Sequence, residues 1–277
     1  MANKAGFKNK IKSVESIHKI TAAMKLMATA KLNKEKQSYQ AGVEYALELN
    51  KMISKIIENL SDTNSPYLIK ANTEKSLYIV YTSDLGMCGG YNINTIRLLQ
   101  DKLTKDDTVV VFGNKGRNMM NNRGITYQDS YPGDDVEYSV FSTLANNIIN
   151  AYLNKEYSRV TIICTKFVNT ITFEPREVTL LPFVSEADKT KRTNSWEFEP
   201  DSQTILDQMM PMVLASLLYS YFLETKVSEQ ASRRLAMENA TDNAQELIDK
   251  YKLQYNQARQ TAITQEISEI VGGANAL

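Results

Sequence analysis

From Met212 to Val271 the chain contains neither glycine nor proline. Nothing in that backbone forces a break. Those sixty residues would form a helix about 90 Å long at ~1.5 Å per residue. No single compact domain of 277 residues needs such a helix, so the length points to mechanical or assembly work rather than to a pocket. Leu206, Met209, Val213, Leu217, Val227, Leu247, Ile248, Tyr251, Tyr255, Ala258 and Ala262 supply an apolar stripe, with Pro211 near its start or at a kink. The stretch Ser228–Asn243 interrupts the stripe with small and polar residues. A helix this long and this polar is not stable alone and needs a partner.

The partner is at the other end of the chain. From Lys4 to Leu60 the pattern is again helical, with Phe7, Ile11, Val14, Ile17, Thr21, Met24, Ala28 and Leu32 at steps of three and four. Gly42 marks a weak point, and Ser61–Pro66 reads as a loop that ends the helix. Both helices are tied to the same middle segment by their inner ends, so they pair antiparallel. Sustained steps of three and four favour a left-handed coil.

Between them the period changes. Leu77–Tyr81, Thr108–Phe112, Ile125–Asp129 and Val160–Cys164 read as strands. They alternate with helical stretches at Asn94–Leu103, after Gly113, and at Val136–Leu153. Thr170–Phe173 and Val178–Phe183 read as a hairpin, and Ser185–Gln203 as an exposed connection. Alternation predicts a mainly parallel sheet covered on both faces. The fold class is α/β plus α: an antiparallel coiled coil of terminal helices with a central doubly wound, Rossmann-like domain. The expected boundaries are 1–60, 74–200 and 206–277.

Net charge is zero, but residues 1–40 carry nine lysines against Glu15 and Glu35, a local charge of +7. Such an arm suits nucleic acid or an acidic protein surface, or is a solvated helix face. Residues 224–277 carry six basic and eight acidic side chains, which breaks any continuous footprint for nucleic acid. Cys88 and Cys164 are in no metal-like spacing and fit a reducing compartment. His18 alone builds no His-based metal site. No apolar run approaches the ~20 residues of a membrane span, and the N-terminus lacks a signal-peptide pattern.

Ser83–Asn92 (SDLGMCGGYN) follows the first strand and precedes a helix, where a dinucleotide loop would lie. Its spacing is wrong for G-x-G-x-x-G and it lacks the Lys-Ser/Thr of a P-loop. A tight strand-to-helix turn is the better reading. Asp106/Asp107 and Asp134/Asp135 fit turn chemistry, and Cys88 has no histidine beside it. No constellation of catalytic type is found. Arg259 to Thr264 presents small and hydrogen-bonding side chains on nearly every side, suiting a surface that touches different neighbours in turn.

Four separated motifs carry a resemblance. They are Ile11–Val14 with Lys19–Ala28, the loop Gly86–Asn92, Glu229–Arg233 with Ala236–Asn243, and Tyr255–Gln260 with Ile263–Glu266 and Glu269–Val271. In this order and over essentially its full length, the chain resembles the gamma subunits of bacterial F-type ATP synthases. It departs from them at Ala22, where lysine is common, and at Met87 and Tyr91, where leucine or a similar residue is usual. The resemblance implies a central-stalk rotor, not itself catalytic, without cofactor or metal. It couples ion-driven rotation to ATP synthesis or hydrolysis in a surrounding ring. The implied partners are the alpha and beta subunits of the ring, the epsilon subunit and the c-subunit ring, with no nucleic acid. The implied location is peripheral, on the cytoplasmic face of the bacterial membrane, and the motif's start about ten residues from Met1 fits the bacterial pattern. The family's contact residues carry over to Met24, Lys25, Arg233, Met237, Arg259, Gln260, Thr264 and Glu266. Alternatives are a gamma-like shaft of a divergent assembly, a Rossmann-type nucleotide-binding enzyme and a basic nucleic-acid binder.

Overall fold

The computed structural model describes residues 4–58, 65–183 and 199–274. The chain divides into two compact units, one of Ala30–Ser232 and one of Met1–Thr29 with Arg233–Leu277. Two long helices contribute to both: α1 (Lys4–Glu58) and α5 (Ser202–Ala274). The strand-rich elements, all in the first unit, are β1 (Ser76–Tyr81), α2 (Tyr91–Lys102), β2 (Thr108–Phe112), α3 (Asn114–Asn122), β3 (Asp129–Tyr131), α4 (Tyr138–Leu153), β4 (Arg159–Phe167) and β5 (Phe173–Leu181).

The sheet order is β3-β2-β1-β4-β5. The first four strands are parallel, and β5 runs antiparallel against β4. The chain winds outward through β2 and β3, then returns by α4 to lay β4 on the other side of β1. That reversal makes the sheet doubly wound. Alternate residues serve opposite faces. Ile79, Tyr81, Val110 and Phe112 pack with α4 and the α1 and α5 segments of this unit. Tyr78, Val80, Val109 and Val111 pack with Ile96 and Leu99 of α2 and Met120 of α3. An aromatic cluster ties the first face together. Phe112 stacks on Tyr131 and Phe141 at 4.9 and 5.4 Å and meets Tyr81 edge-on at 5.1 Å.

The N-terminus of α5 is fixed by Asp201, whose carboxylate accepts the Thr204 N–H at 2.9 Å and the Thr204 hydroxyl at 2.7 Å. These bonds hold its carboxyl below the usual range. Pro211 is accommodated inside the helix, and α1 runs through Gly42 without a break. The third strand lies at Asp129–Tyr131, beyond the apolar run at Ile125 that suggested it. Ile125 and Tyr127 pack against the α2/α3 face instead. The expected hairpin at 170–183 is a single strand, β5, paired with β4. Residues 61–64 of the expected loop and 185–198 of the expected connection lie outside the described residues.

Candidate functional site

In the second unit, α1 and α5 pair through side chains at steps of three and four. On α5 the covered positions are Met237, Thr241, Ala244, Ile248, Tyr251, Tyr255, Ala258 and Ala262; on α1 they are Phe7, Ile11, Val14, His18, Thr21, Lys25 and Ala28. Contacts fix the direction. Lys25 pairs with Glu238 at 2.8 Å, Thr21 accepts a hydrogen bond from Thr241 at 2.9 Å, and the Lys10 ammonium lies 5.6 Å from the Tyr251 ring centre. Moving back along α1 moves forward along α5, so the pair is antiparallel. The Thr21–Thr241 bond, like the Lys25–Glu238 pair, is a polar lock across the seam, the device by which such seams specify register. The Lys25 hydrogen bond, with Arg234 beside it at 3.0 Å, holds the Glu238 carboxyl below its ordinary range.

The expected contact residues fall into two groups. Met24 and Lys25 are half-buried, and Arg233 and Met237 are buried at 6% exposure each. Arg259, Gln260, Thr264 and Glu266 are exposed. Residues 259–272 are exposed throughout, except half-buried Ala262. Gln257, Gln260, Thr261, Thr264, Gln265 and Ser268 line an uncharged, hydrogen-bonding strip. Ile263, Ile267 and Ile270 are exposed beside it. On α1, Ile17 and Ile20 face solvent, and His18 turns into the seam in place of Ile17. Among the described residues no other element covers this exposed apolar and amide face of α5.

The other place a ligand would be sought is the sheet's switch point, at the carboxyl ends of β1 and β4. The protein fills it itself. The Ser83 N–H donates to Asn92 Oδ1 at 3.0 Å, and Asn92 Nδ2 returns a bond to the Ser83 hydroxyl at 2.7 Å. Asp84 accepts the N–H groups of Asn114, Gly133 and Asp134 at 2.8, 2.9 and 3.0 Å. Those main-chain donors would otherwise face an anion. Over the crevice lies α5: Ser228 donates to the Thr165 carbonyl at 3.1 Å and Ser232 to the Cys88 carbonyl at 2.7 Å. Every residue from Phe222 to Ser232 is buried. The Ser83–Asn92 segment is thus a strand-to-helix turn closed by its own chain.

Both cysteines are buried, and burial pushes the Cys164 thiol up to about 11. Neither is expected to react with an aqueous disulfide reagent before unfolding. A time course of thiol release, native against denatured, checks this; fast native labelling of Cys88 would show the crevice to be open.

Sequence reasoning missed Asp84, Asp134, Arg176, Glu224, Lys226 and Glu229. Lys226 is 5% exposed and Glu229 1%. Lys226 pairs with Glu229 at 2.6 Å and also with Asp134. A buried lysine and carboxylate joined by a half-buried aspartate leave no periodic trace. Asp134, which fits turn chemistry in the sequence, is an ion-pair partner.

A paired-helix unit with a long exposed end, joined in sequence to a doubly wound domain closed by its own helix, defines an assembly subunit. A family model described as ATP synthase matches residues 3–277. The ATP synthase gamma chain of Mesoplasma florum is 37% identical over 281 residues, covering 100% of this chain and 99% of that one. Among solved structures, a chain of the Euglena gracilis mitochondrial ATP synthase (OSCP/F1/c-ring) matches with a TM-score of 0.69 at 18% identity, over 99% of this chain and 94% of that one. A chain of the Tetrahymena thermophila mitochondrial ATP synthase central stalk and c-ring matches with a TM-score of 0.60 at 24% identity, over 80% and 99%. These two likenesses speak for the fold. The chain belongs to the gamma-chain family of F-type ATP synthases, the subunits of the central stalk.

Proposed function

We propose that this chain is the non-catalytic rotor that couples ion-driven rotation to ATP synthesis or hydrolysis in a ring of alpha and beta subunits. The observation that carries the reading is the exposed end of α5. There Arg259, Gln260, Thr264 and Glu266 have hydrogen-bonding heads outside the helix pair, on a chain of gamma-chain family. A helix pair presents unlike faces in different directions. Three otherwise equivalent catalytic sites around it meet three different surfaces, and those differential contacts bias each site between open and closed states. About 1.4 kcal/mol of difference changes a nucleotide affinity tenfold. Rotation carries each site through the set in turn.

In this reading, segments 1–60 and 206–277 serve as the shaft and 74–200 as the domain that meets the epsilon subunit and the c ring. Met24, Lys25, Arg233 and Met237 latch the two helices. The exposed group touches the ring, and the basic arm of α1 faces acidic loops of the catalytic subunits. No described helix is long and apolar enough to cross a membrane. In this reading the chain lies peripherally on the cytoplasmic face of the bacterial membrane, with the c ring as the membrane contact.

Arg259→Ala with Gln260→Ala tests the contact assignment. Both side chains are exposed, so the double variant is expected to change stability by no more than ~0.5 kcal/mol. ATP hydrolysis by the reconstituted assembly is expected to fall roughly tenfold or more, the equivalent of ~1.4 kcal/mol of lost coupling. Unchanged hydrolysis, with the variant incorporated at the normal ratio, refutes the assignment.

A further inference from the structure

Within the unit Ala30–Ser232, α5 is gripped by polar contacts arriving from several directions. The Tyr81 hydroxyl donates to the Leu218 carbonyl at 2.9 Å, and the Tyr91 hydroxyl to the Thr225 carbonyl at 3.3 Å. Ser228 and Ser232 donate to the carbonyls of Thr165 on β4 and Cys88 in the β1–α2 loop. Glu224 accepts the Phe167 N–H at 3.2 Å and pairs with Arg176 of β5. Lys226 pairs with Asp134, on the loop between β3 and α4, and that loop is braced through Asp84 to the end of β1. Glu35 of α1 also stands near this lysine: burial raises its carboxyl, and Lys226 is the first charge that offsets the rise.

Apolar packing resists separation of a helix but tolerates small sliding. Hydrogen bonds lose strength steeply with angle and distance. Contacts to β1, β4, β5 and two loops therefore fix both the rise of α5 and its rotation about its own axis. Stability alone does not call for charges here, because well-packed apolar replacements of a buried ionic group are often neutral or better. A requirement for one fixed angle does call for them.

We propose that the segment Glu224–Ser232 is a torsion clamp, with Lys226 its central positioning residue, which carries torque between the sheet and α5. The inference rests on the central-stalk reading. Without the clamp, α5 twists under load before the sheet follows, and rotation at one end is delivered incompletely at the other.

The test uses the whole reconstituted complex in sealed vesicles. One variant, Lys226→Met with Glu229→Met and Asp134→Asn, removes the lysine together with both carboxylates paired to it. A second, Ser228→Ala with Ser232→Ala, removes two hydrogen bonds. ATP hydrolysis, ATP-driven ion transport against a graded opposing potential, and thermal unfolding are measured together. With hydrolysis and unfolding temperature retained, ions moved per ATP near the stalling potential are expected to fall roughly fivefold. Lys226→Arg is expected to keep the native ratio. A ratio equal to the native one at every opposing potential in both variants overturns the clamp. So does parallel loss of hydrolysis, transport and unfolding temperature, which marks a merely structural role. Failure of the native complex to move ions at all would instead overturn the stalk reading beneath it.

Discussion

Replacing Gly113 by alanine is expected to cost the sheet domain roughly 3–5 kcal/mol, more than strain alone at ~1–3 kcal/mol. Gly113 follows β2 directly, with φ at +99° and ψ at 131°. A Cβ there would lie 2.4 Å from the Thr82 carbonyl oxygen and 2.5 Å from its hydroxyl. Those atoms cannot simply swing aside. The Thr82 hydroxyl donates to the Phe112 carbonyl at 2.6 Å and accepts the Gly116 N–H at 3.0 Å, and the Thr82 N–H also bonds Phe112. Relief of the clash must part β1 from β2 at the point where Phe112 enters the aromatic cluster. Thermal unfolding is expected to shift downward by roughly 10 °C, at ~2–4 °C per kcal/mol for a domain of this size. A shift under about 2 °C would mean that the ends of β1 and β2 part easily enough to absorb the added methyl group.

The single change Lys226→Met is expected to be nearly as damaging, at ~3–5 kcal/mol, because it takes the cation out of a pair with the buried Glu229 and the half-buried Asp134. This separates it from the triple variant, in which the two paired carboxylates are neutralised together with the lysine. The pH dependence gives a second readout. Burial pulls the Lys226 ammonium down, but Glu229 and Asp134 outweigh it, so the folded value is raised above the ordinary 10.5. A cationic group with a raised folded value stabilises fully below its unfolded value. That stabilisation is lost as pH rises through the folded value. The gap between native chain and variant should therefore be constant from neutral pH to about 10 and narrow above it. Tyr39 and Tyr152, both pushed up to about 12 by burial, also withdraw stability above pH 10. They do so alike in both chains, and the difference isolates the lysine. Denaturant titrations at stepped pH check this, and a gap that widens with pH would contradict the sign.

Elements whose periodicity reports burial directly were legible in the sequence. The run Thr108–Phe112 is β2, and the unbroken stretch Met212–Val271 lies inside α5. On α1 the seam passes through His18, one residue beyond Ile17, and takes in Lys25 beside Met24. Steps of three and four admit both tracks, and a lysine stem covers apolar surface while its head finds Glu238. The site was legible in part. The exposed end of α5 followed from its composition. The buried stretch at Ser228–Ser232 did not, because small hydroxyls and amides read as a solvated face. Their carbonyl partners lie 63 and 144 residues away. Only the folded sheet brings Thr165 and Cys88 to them.

The closed crevice of the sheet domain has a consequence for working conditions. An architecture that elsewhere holds a dissociable cofactor here holds a covalently attached one, its own helix, in the same slot. A tethered occupant acts at a fixed, high effective concentration. Its occupancy does not follow the pool of free nucleotides. The stiffness of a part that turns is thereby set by its own chain.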